Sequence, residues 1–236
     1  MPLNLVVFDL DGTLVQSMNI EDLCFVRALQ LAWQISDVDT NWNHYQHVTE
    51  TAIADDLFRA RYGRSPDESE ISELQSVFAS ELNVALQHTK LKLIPGADRA
   101  LEALKGNPCW QAAIATGTWD CTCRLKAAAV GLPLEQLPVA TADDGRTRSE
   151  IVRTAIQRAS QHCGIRDFHR IICVGDGLWD VKTAVLLDLP IIGVAHGPQA
   201  DLLHQAGAVG VISDFQDLHH FLSLLEQIAE QDRNDE

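Results

Sequence analysis

Asp9 and Asp11 stand one residue apart at the end of the apolar run in "VVFDLDGTL", and Asp176 and Asp180 stand four apart just past another, in "IICVGDGLWD". Like charges crowded at a strand tip raise a carboxyl pKa or destabilise the fold unless something positive offsets them. A bound divalent cation would do so. Gly12 lets the first turn leave flat strand geometry so that both carboxylates can reach one site, and Gly175 and Gly177 make the second turn pliable. Oxygen-only donors with room for water suit Mg²⁺ better than zinc. A third run, "AAIATGTWD", ends on Thr116 and Gly117, a hydroxyl and an exposed N–H that together can cradle an anion. Arg148 opens a helical pattern containing Ile151, Val152 and Ile156, and would supply positive charge opposite the acids and a phosphate.

These residues need elements to carry them. The short β-branched runs at Leu5–Phe8, Ala112–Ala115, Ile171–Val174 and Ile191–Ala195 read as strands buried on both faces, as in a parallel sheet. Helical patterns alternate with them at 97–104, 119–130, 149–162 and 179–187. The expected fold is α/β, a Rossmann-like parallel sheet with helices on both faces, whose ligands bind at the carboxyl edge of the strands. Weaker strand signals lie at 137–140 and 209–212, followed by a final amphipathic helix with Asp214 as its expected N-cap and a polar tail expected to fray. Between Val15 and Lys92 the alternation breaks. "IEDLCFVRALQLAW" and "ESEISELQSVFASELNVALQ" are helical without a buried strand between them, and "RYGRSPDES" is a turn leading into the second. The expected organisation is therefore a core of residues 1–14 and 93–236 with a helical cap at 15–92.

In that order and with that insertion, the motifs resemble the haloacid dehalogenase superfamily of hydrolases, in the branch that includes phosphoglycolate phosphatase-like proteins with a helical cap. "DLDGTL" matches the first motif of the family, Thr116 the second and "GDGLWD" the fourth. The third motif usually presents Lys; here Arg146 and Arg148 are available, and Arg148 is assigned because it opens the helix. The resemblance implies phosphoryl transfer through an aspartyl-phosphate: Asp9 as nucleophile and Asp11 as acid toward the leaving alcohol and base toward water. It implies Mg²⁺ held by Asp9, the Asp11 main-chain carbonyl and Asp176, with Asp180 a direct or water-mediated ligand or an orienting group. Thr116, Gly117 and Arg148 would hold the phosphoryl oxygens. An acid at position 11 argues for phosphate rather than halide chemistry. The expected activity is hydrolysis of a small phosphorylated metabolite; a phosphosugar mutase and a non-catalytic regulatory protein on the same fold are the alternatives.

A net charge of -15 disfavours binding to nucleic acid, so any anionic substrate must meet a local positive site. No apolar stretch is long enough for a membrane span, and the first residues lack the pattern of a secretory signal, so a cytoplasmic location is expected. The six cysteines read as reduced core thiols rather than a zinc site or a disulfide framework. Asp143 and Asp144 read as a solvated turn or as acids near the metal, and Arg59, Arg61, Arg64 and Lys182 as surface charges. In "NWNHYQHVTE" the stripe Trp42, Tyr45 and Val48 reads as packing, and His47 is the candidate cap contact to substrate. Monomer and homodimer are both compatible with the sequence.

Overall fold

A computed structural model of the chain describes residues 2–231. Strands β1 (Asn4–Phe8), β2 (Trp110–Ala115), β3 (Val139–Ala140), β4 (Ile171–Gly175), β5 (Ile191–Val194) and β6 (Gly210–Ile212) form one parallel sheet in the order β3-β2-β1-β4-β5-β6. The register pairs Phe8 with Ile114 on one side and with Val174 on the other. Three strands therefore end level with one another, and Asp9, Thr116 and Asp176 emerge along one edge. β1 and β4 flank the point where strand order reverses, the crevice in which ligands of open α/β sheets bind.

Side chains alternate across the sheet as strand geometry requires. Val6, Phe8, Ile114, Ile172 and Val174 face one layer, in which Phe8 meets Phe215 and Phe221 with ring centroids 6.2 and 6.3 Å away. That layer includes α4 (Ala97–Lys105), α5 (Asp120–Val130) and α9 (Leu218–Gln231). Leu5, Val7, Ala113 and Cys173 face the other, built on α6 (Arg148–Cys163), α7 (Leu178–Leu186) and α8 (Pro198–Ala206).

Between β1 and α4 the chain forms α1 (Met18–Trp33), α2 (Glu50–Tyr62) and α3 (Glu68–His88) around a third apolar cluster of Phe25, Leu29, Phe58, Leu74, Phe78 and Leu82. Asp67 and Glu70 close a capping box that starts α3. Trp119 is a core residue just before α5 that enters this cluster, with its ring 6.1 Å from Phe25 and 6.3 Å from Phe78. Its indole N–H donates to Thr51 Oγ1 of α2, so the helical insert is keyed to the sheet domain at the carboxyl edge of the strands.

Helix α2 is not singled out by the sequence pattern. The strand expected at 137–140 shrinks to Val139–Ala140 on the sheet edge, beside Pro138, which has no N–H to give a ladder. The final helix starts on Asp217, whose carboxylate accepts from His220 N–H, whereas Asp214 closes a turn with Gln216. The polar tail at 232–236 lies outside the described residues. Among the described residues no helix is long and apolar enough to cross a membrane, and no disulfide joins any of the six cysteines.

Candidate active site

Gly12 sets the geometry of the first turn. Its φ of 84° is open to glycine, and a Cβ there would stand 2.2 Å from Asp176 Oδ2. The missing side chain lets the β4 acid approach the β1 turn. One oxygen each from Asp9, Asp176 and Asp180 lies within 4.8 Å of the others. Thr13, fully buried, donates its hydroxyl toward Asp9 Oδ2 at 3.3 Å and Asp176 Oδ1 at 3.2 Å, bridging the two strand ends. Asp180 is fastened on both sides, accepting from Gly177 N–H at the start of α7 and from Arg148.

Arg148 crosses from α6 to this cluster. Its Nη1 donates to Asp9 Oδ1 at 2.8 Å and to Asp180 Oδ1 at 2.7 Å, while Nε donates to the Val48 carbonyl of the insert. Thr147 and Glu150 form a capping box that fixes where α6 begins, and so where the guanidinium starts from. One cation against three acids leaves the cluster undercompensated. Burial first and Asp180 second push the Asp9 carboxyl up to about 7 despite Arg148, and burial with its acidic neighbours also raises Asp176 well above the ordinary range. A set of oxygen donors that are costly to ionise together fits a hard divalent cation such as Mg²⁺.

Asp11 has different company. Its carboxylate accepts from Ser17 Oγ on one oxygen and from Lys126 Nζ, 2.7 Å away, on the other. Burial alone would raise its pKa, but the adjacent ammonium together with hydrogen bonds from Lys126, Ser17 and Glu21 holds it below the ordinary value. The Asp11 side chain is thus no part of the acidic cluster around Asp9, which is compatible with the main-chain role in metal binding expected for this position.

Thr116 is buried at the end of β2. Gly117 beside it lets the insert come close, because a Cβ there would lie 2.8 Å from the Val48 carbonyl and 2.9 Å from Arg148 Nη2. Both residues line a chamber between the sheet edge and the insert, walled by Asp11, Arg148 and Trp179 below and by Met18, Glu21, Asp22, Phe25, Trp42, Glu50 and Ile53 above. His47 lies outside that chamber, in an adjoining cleft with Tyr45 and Lys182 that shares Val48, Arg148 and Trp179 with it. Arg146 points away from the acids, pairing with Asp55 and Asp56 of α2. Asp143 accepts from Asp120 N–H at the start of α5 and from Gln75, and Asp144 pairs with Arg158, so these two acids stay in their turn. Sequence reasoning assigned no role to Thr13, Ser17 or Lys126. Thr13 lay inside the quoted motif; Lys126 carried no signal beyond being a lysine among apolar helix residues.

Acids thus converge at the switch point of a parallel α/β sheet, with Thr116 and Gly117 at the end of the next strand and a helical insert over both. A family model for haloacid dehalogenase-like hydrolases matches residues 3–188, and the chain belongs to that family. No curated protein matches the sequence. Among solved structures, a hydrolase from Pseudomonas syringae superimposes with a TM-score of 0.70 at 22% identity, covering 94% of this chain and 98% of that one. A predicted phosphoglycolate phosphatase from Haemophilus somnus gives 0.63 at 20% identity, over 93% and 98% of the two chains. CbbY from Rhodobacter sphaeroides in complex with xylulose-(1,5)bisphosphate gives 0.68 at 19% identity, over 92% and 96%. At these identities the similarity describes the fold.

Proposed function

We propose that this protein is a Mg²⁺-dependent phosphatase that hydrolyses a small phosphorylated metabolite through an aspartyl-phosphate, with α1 to α3 serving as its cap. The observation that carries this reading is the separation of the two β1 acids: Asp9 stands among Asp176, Asp180 and Arg148, while Asp11 stands on Lys126 and Ser17. In this reading one acid serves phosphorus and its counter-ions, the other protons. Asp9, Asp176 and the Asp11 carbonyl would hold Mg²⁺, which supplies charge neutralisation for the phosphoryl oxygens and the nucleophile when bound. Asp180 is the orienting acid of this set, because Gly177 N–H and Arg148 already fix both its oxygens.

On substrate binding Arg148 exchanges its bond to Asp9 for one to a phosphoryl oxygen, freeing the Asp9 oxygen to attack phosphorus. Thr116 and the Gly117 N–H hold the remaining oxygens, where charge spreads in the transition state. Asp11 enters the first step protonated and gives that proton to the departing alcohol; the carboxylate left behind takes one from the water that opens the aspartyl-phosphate, which restores the acid. The ionised Asp11 held by Lys126 is the form that the second step uses.

The chamber walls narrow the leaving group. Asp11 brings negative charge, Glu21, Asp22 and Glu50 add further acidic groups, and Met18, Phe25, Trp42 and Ile53 bring apolar surface. Among the described residues no Lys or Arg of the insert lines the chamber. This favours a neutral polyol, such as a sugar, over a leaving group with a second phosphate or a carboxylate, and so favours a phosphatase over a bisphosphate-primed mutase. Substrate selection falls to these residues rather than to His47. The test is phosphate release from a panel of metabolite monoesters with and without Mg²⁺. Metal-dependent turnover that Asp9→Asn abolishes is expected; turnover unchanged in that variant would refute the nucleophile.

A further inference from the structure

Lys126 lies on α5 with none of its side chain exposed. A lysine that deep gives up hydration worth several kcal/mol, and an apolar residue of similar volume would often stabilise the fold as well or better. Its position asks for another reason. An ammonium has three donors, and all three are engaged: Asp11 Oδ2 at 2.7 Å, Glu21 Oε1 at 2.5 Å and Thr118 Oγ1 at 3.3 Å. Glu21 belongs to α1. The Thr118 hydroxyl passes the contact on to Glu50 Oε1 of α2, whose other oxygen accepts from Trp119 N–H and whose own N–H donates to the Gly117 carbonyl. One buried cation therefore meets the acid of the site, one helix of the insert directly and a second helix through a single hydroxyl.

We infer that Lys126 is a positioning residue that seats Asp11 and makes that seat depend on the helical cap lying on the core. Lifting α1 and α2 away would remove Glu21 from the ammonium and Glu50 from Thr118, leaving Lys126 with Asp11 and the Thr118 hydroxyl and no partner from the insert. Ser17, immediately before α1, holds the other Asp11 oxygen, so the start of the cap reaches the same carboxylate from its second side. Asp11 is then oriented in the closed arrangement, with the leaving group enclosed, and loosened in the open one. The inference rests on the phosphatase reading above and assigns to that site a residue and a coupling that the catalytic motifs do not contain.

The test compares Lys126→Met with the wild type on p-nitrophenyl phosphate, whose leaving group departs without a proton, and on phenyl phosphate, which gains more from a general acid. Full-length protein is assayed in Mg²⁺. Misplacing Asp11 should lower kcat on phenyl phosphate roughly tenfold or more beyond any loss on p-nitrophenyl phosphate. In an Asp11→Asn background the same substitution should leave the ratio of the two rates unchanged. Equal losses on both esters, or a further change of ratio in the Asp11→Asn background, would overturn the inference. If Lys126→Met does not fold, Glu21→Gln is read instead: it weakens one anchor of the ammonium and must shift the ratio in the same direction, and an unchanged ratio overturns the inference. A wild type that hydrolyses neither ester refutes the phosphatase reading and this inference with it.

Discussion

Mg²⁺ should stabilise the folded protein much more at pH 7 than at pH 5, and the site geometry gives the size of the difference. Asp9 is 5% exposed, and burial together with Asp180 pushes its carboxyl from 3.8 to about 7 despite Arg148. Between those two values the metal-free folded state holds a proton that the unfolded chain has lost. Metal-free stability therefore falls as pH rises through this window. Below pH 7 a cation must displace that proton, so its apparent affinity drops about tenfold per pH unit, about 1.4 kcal/mol each. Two units amount to roughly 3 kcal/mol with the cation in excess. At about 2–4 °C per kcal/mol for a chain of this size, the Mg²⁺-induced rise in Tm should be roughly 6–12 °C larger at pH 7 than at pH 5. Asp176 is raised for the same reasons and steepens the trend if its proton is displaced too. Glu21, pushed up to about 7 by burial and Asp11, shifts metal-free stability in the same direction, but it lies outside the acidic cluster and cancels when melts with Mg²⁺ and with chelator are subtracted. Scanning calorimetry at pH 5, 6, 7 and 8 gives that difference. Asp9→Asn should flatten it. A Mg²⁺ effect that is constant across the range, or larger at pH 5, would refute the assignment of these acids to a metal.

Gly12→Ala forces a side chain into a left-handed φ of 84° and a Cβ to within 2.2 Å of Asp176 Oδ2. It should cost about 1–2 kcal/mol from the backbone alone and abolish the Mg²⁺-induced rise in Tm while circular dichroism keeps its native shape. Arg148→Lys retains charge but loses the fork that reaches Val48, Asp9 and Asp180 together. Steady-state kinetics on p-nitrophenyl phosphate should show kcat/KM lower by roughly 10–100-fold. Phe78→Ala opens a cavity between Phe25 and Trp119 and should cost about 3–5 kcal/mol. Because Phe78 packs in the cluster of the insert, hydrogen exchange should rise in α1 and α3 while β1 and β4 stay protected.

The strands and their terminal acids were legible because a buried parallel strand is a continuous apolar run, and a carboxylate at its end is conspicuous. Asp9 and Asp176 follow from that rule, Thr116 from its place at the end of another such run, and the register of β1 with β2 and β4 places the three together. Helix α2 was harder to see, since Asp55 and Asp56 interrupt its apolar face; their charges are met by Arg146, from a segment distant in sequence. Asp214 and Asp217 look equally able to cap α9, and only the path of the chain decides between them. Thr13 was visible as a residue but not as a bridge, because its second acceptor, Asp176, arrives from β4. Lys126 is the extreme case. Within "CRLKAAAV" it reads as an ordinary helix lysine, and its meaning depends on α1 and α2 folding over it.

The proposed division between metal site and proton site would rest on which carboxylate oxygens the protein has already satisfied. Around Lys126, Asp11 accepts from Ser17 and the ammonium, and Glu50 accepts from Thr118 and Trp119 N–H. Burial and neighbouring acids raise both Glu21 and Glu50, so their ionised forms are costlier than those of exposed carboxylates. Around Arg148, Asp176 accepts a side-chain hydrogen bond from Thr13, and Asp9 accepts from Thr13 and from an arginine that a phosphoryl oxygen can draw away. A cation needs acceptors with capacity left, whereas a proton carrier needs donors and acids close by. The two-residue spacing of Asp9 and Asp11, turned at Gly12, sends one acid into each environment. Exchanging their partners would require moving Lys126 or Arg148, not the acids themselves.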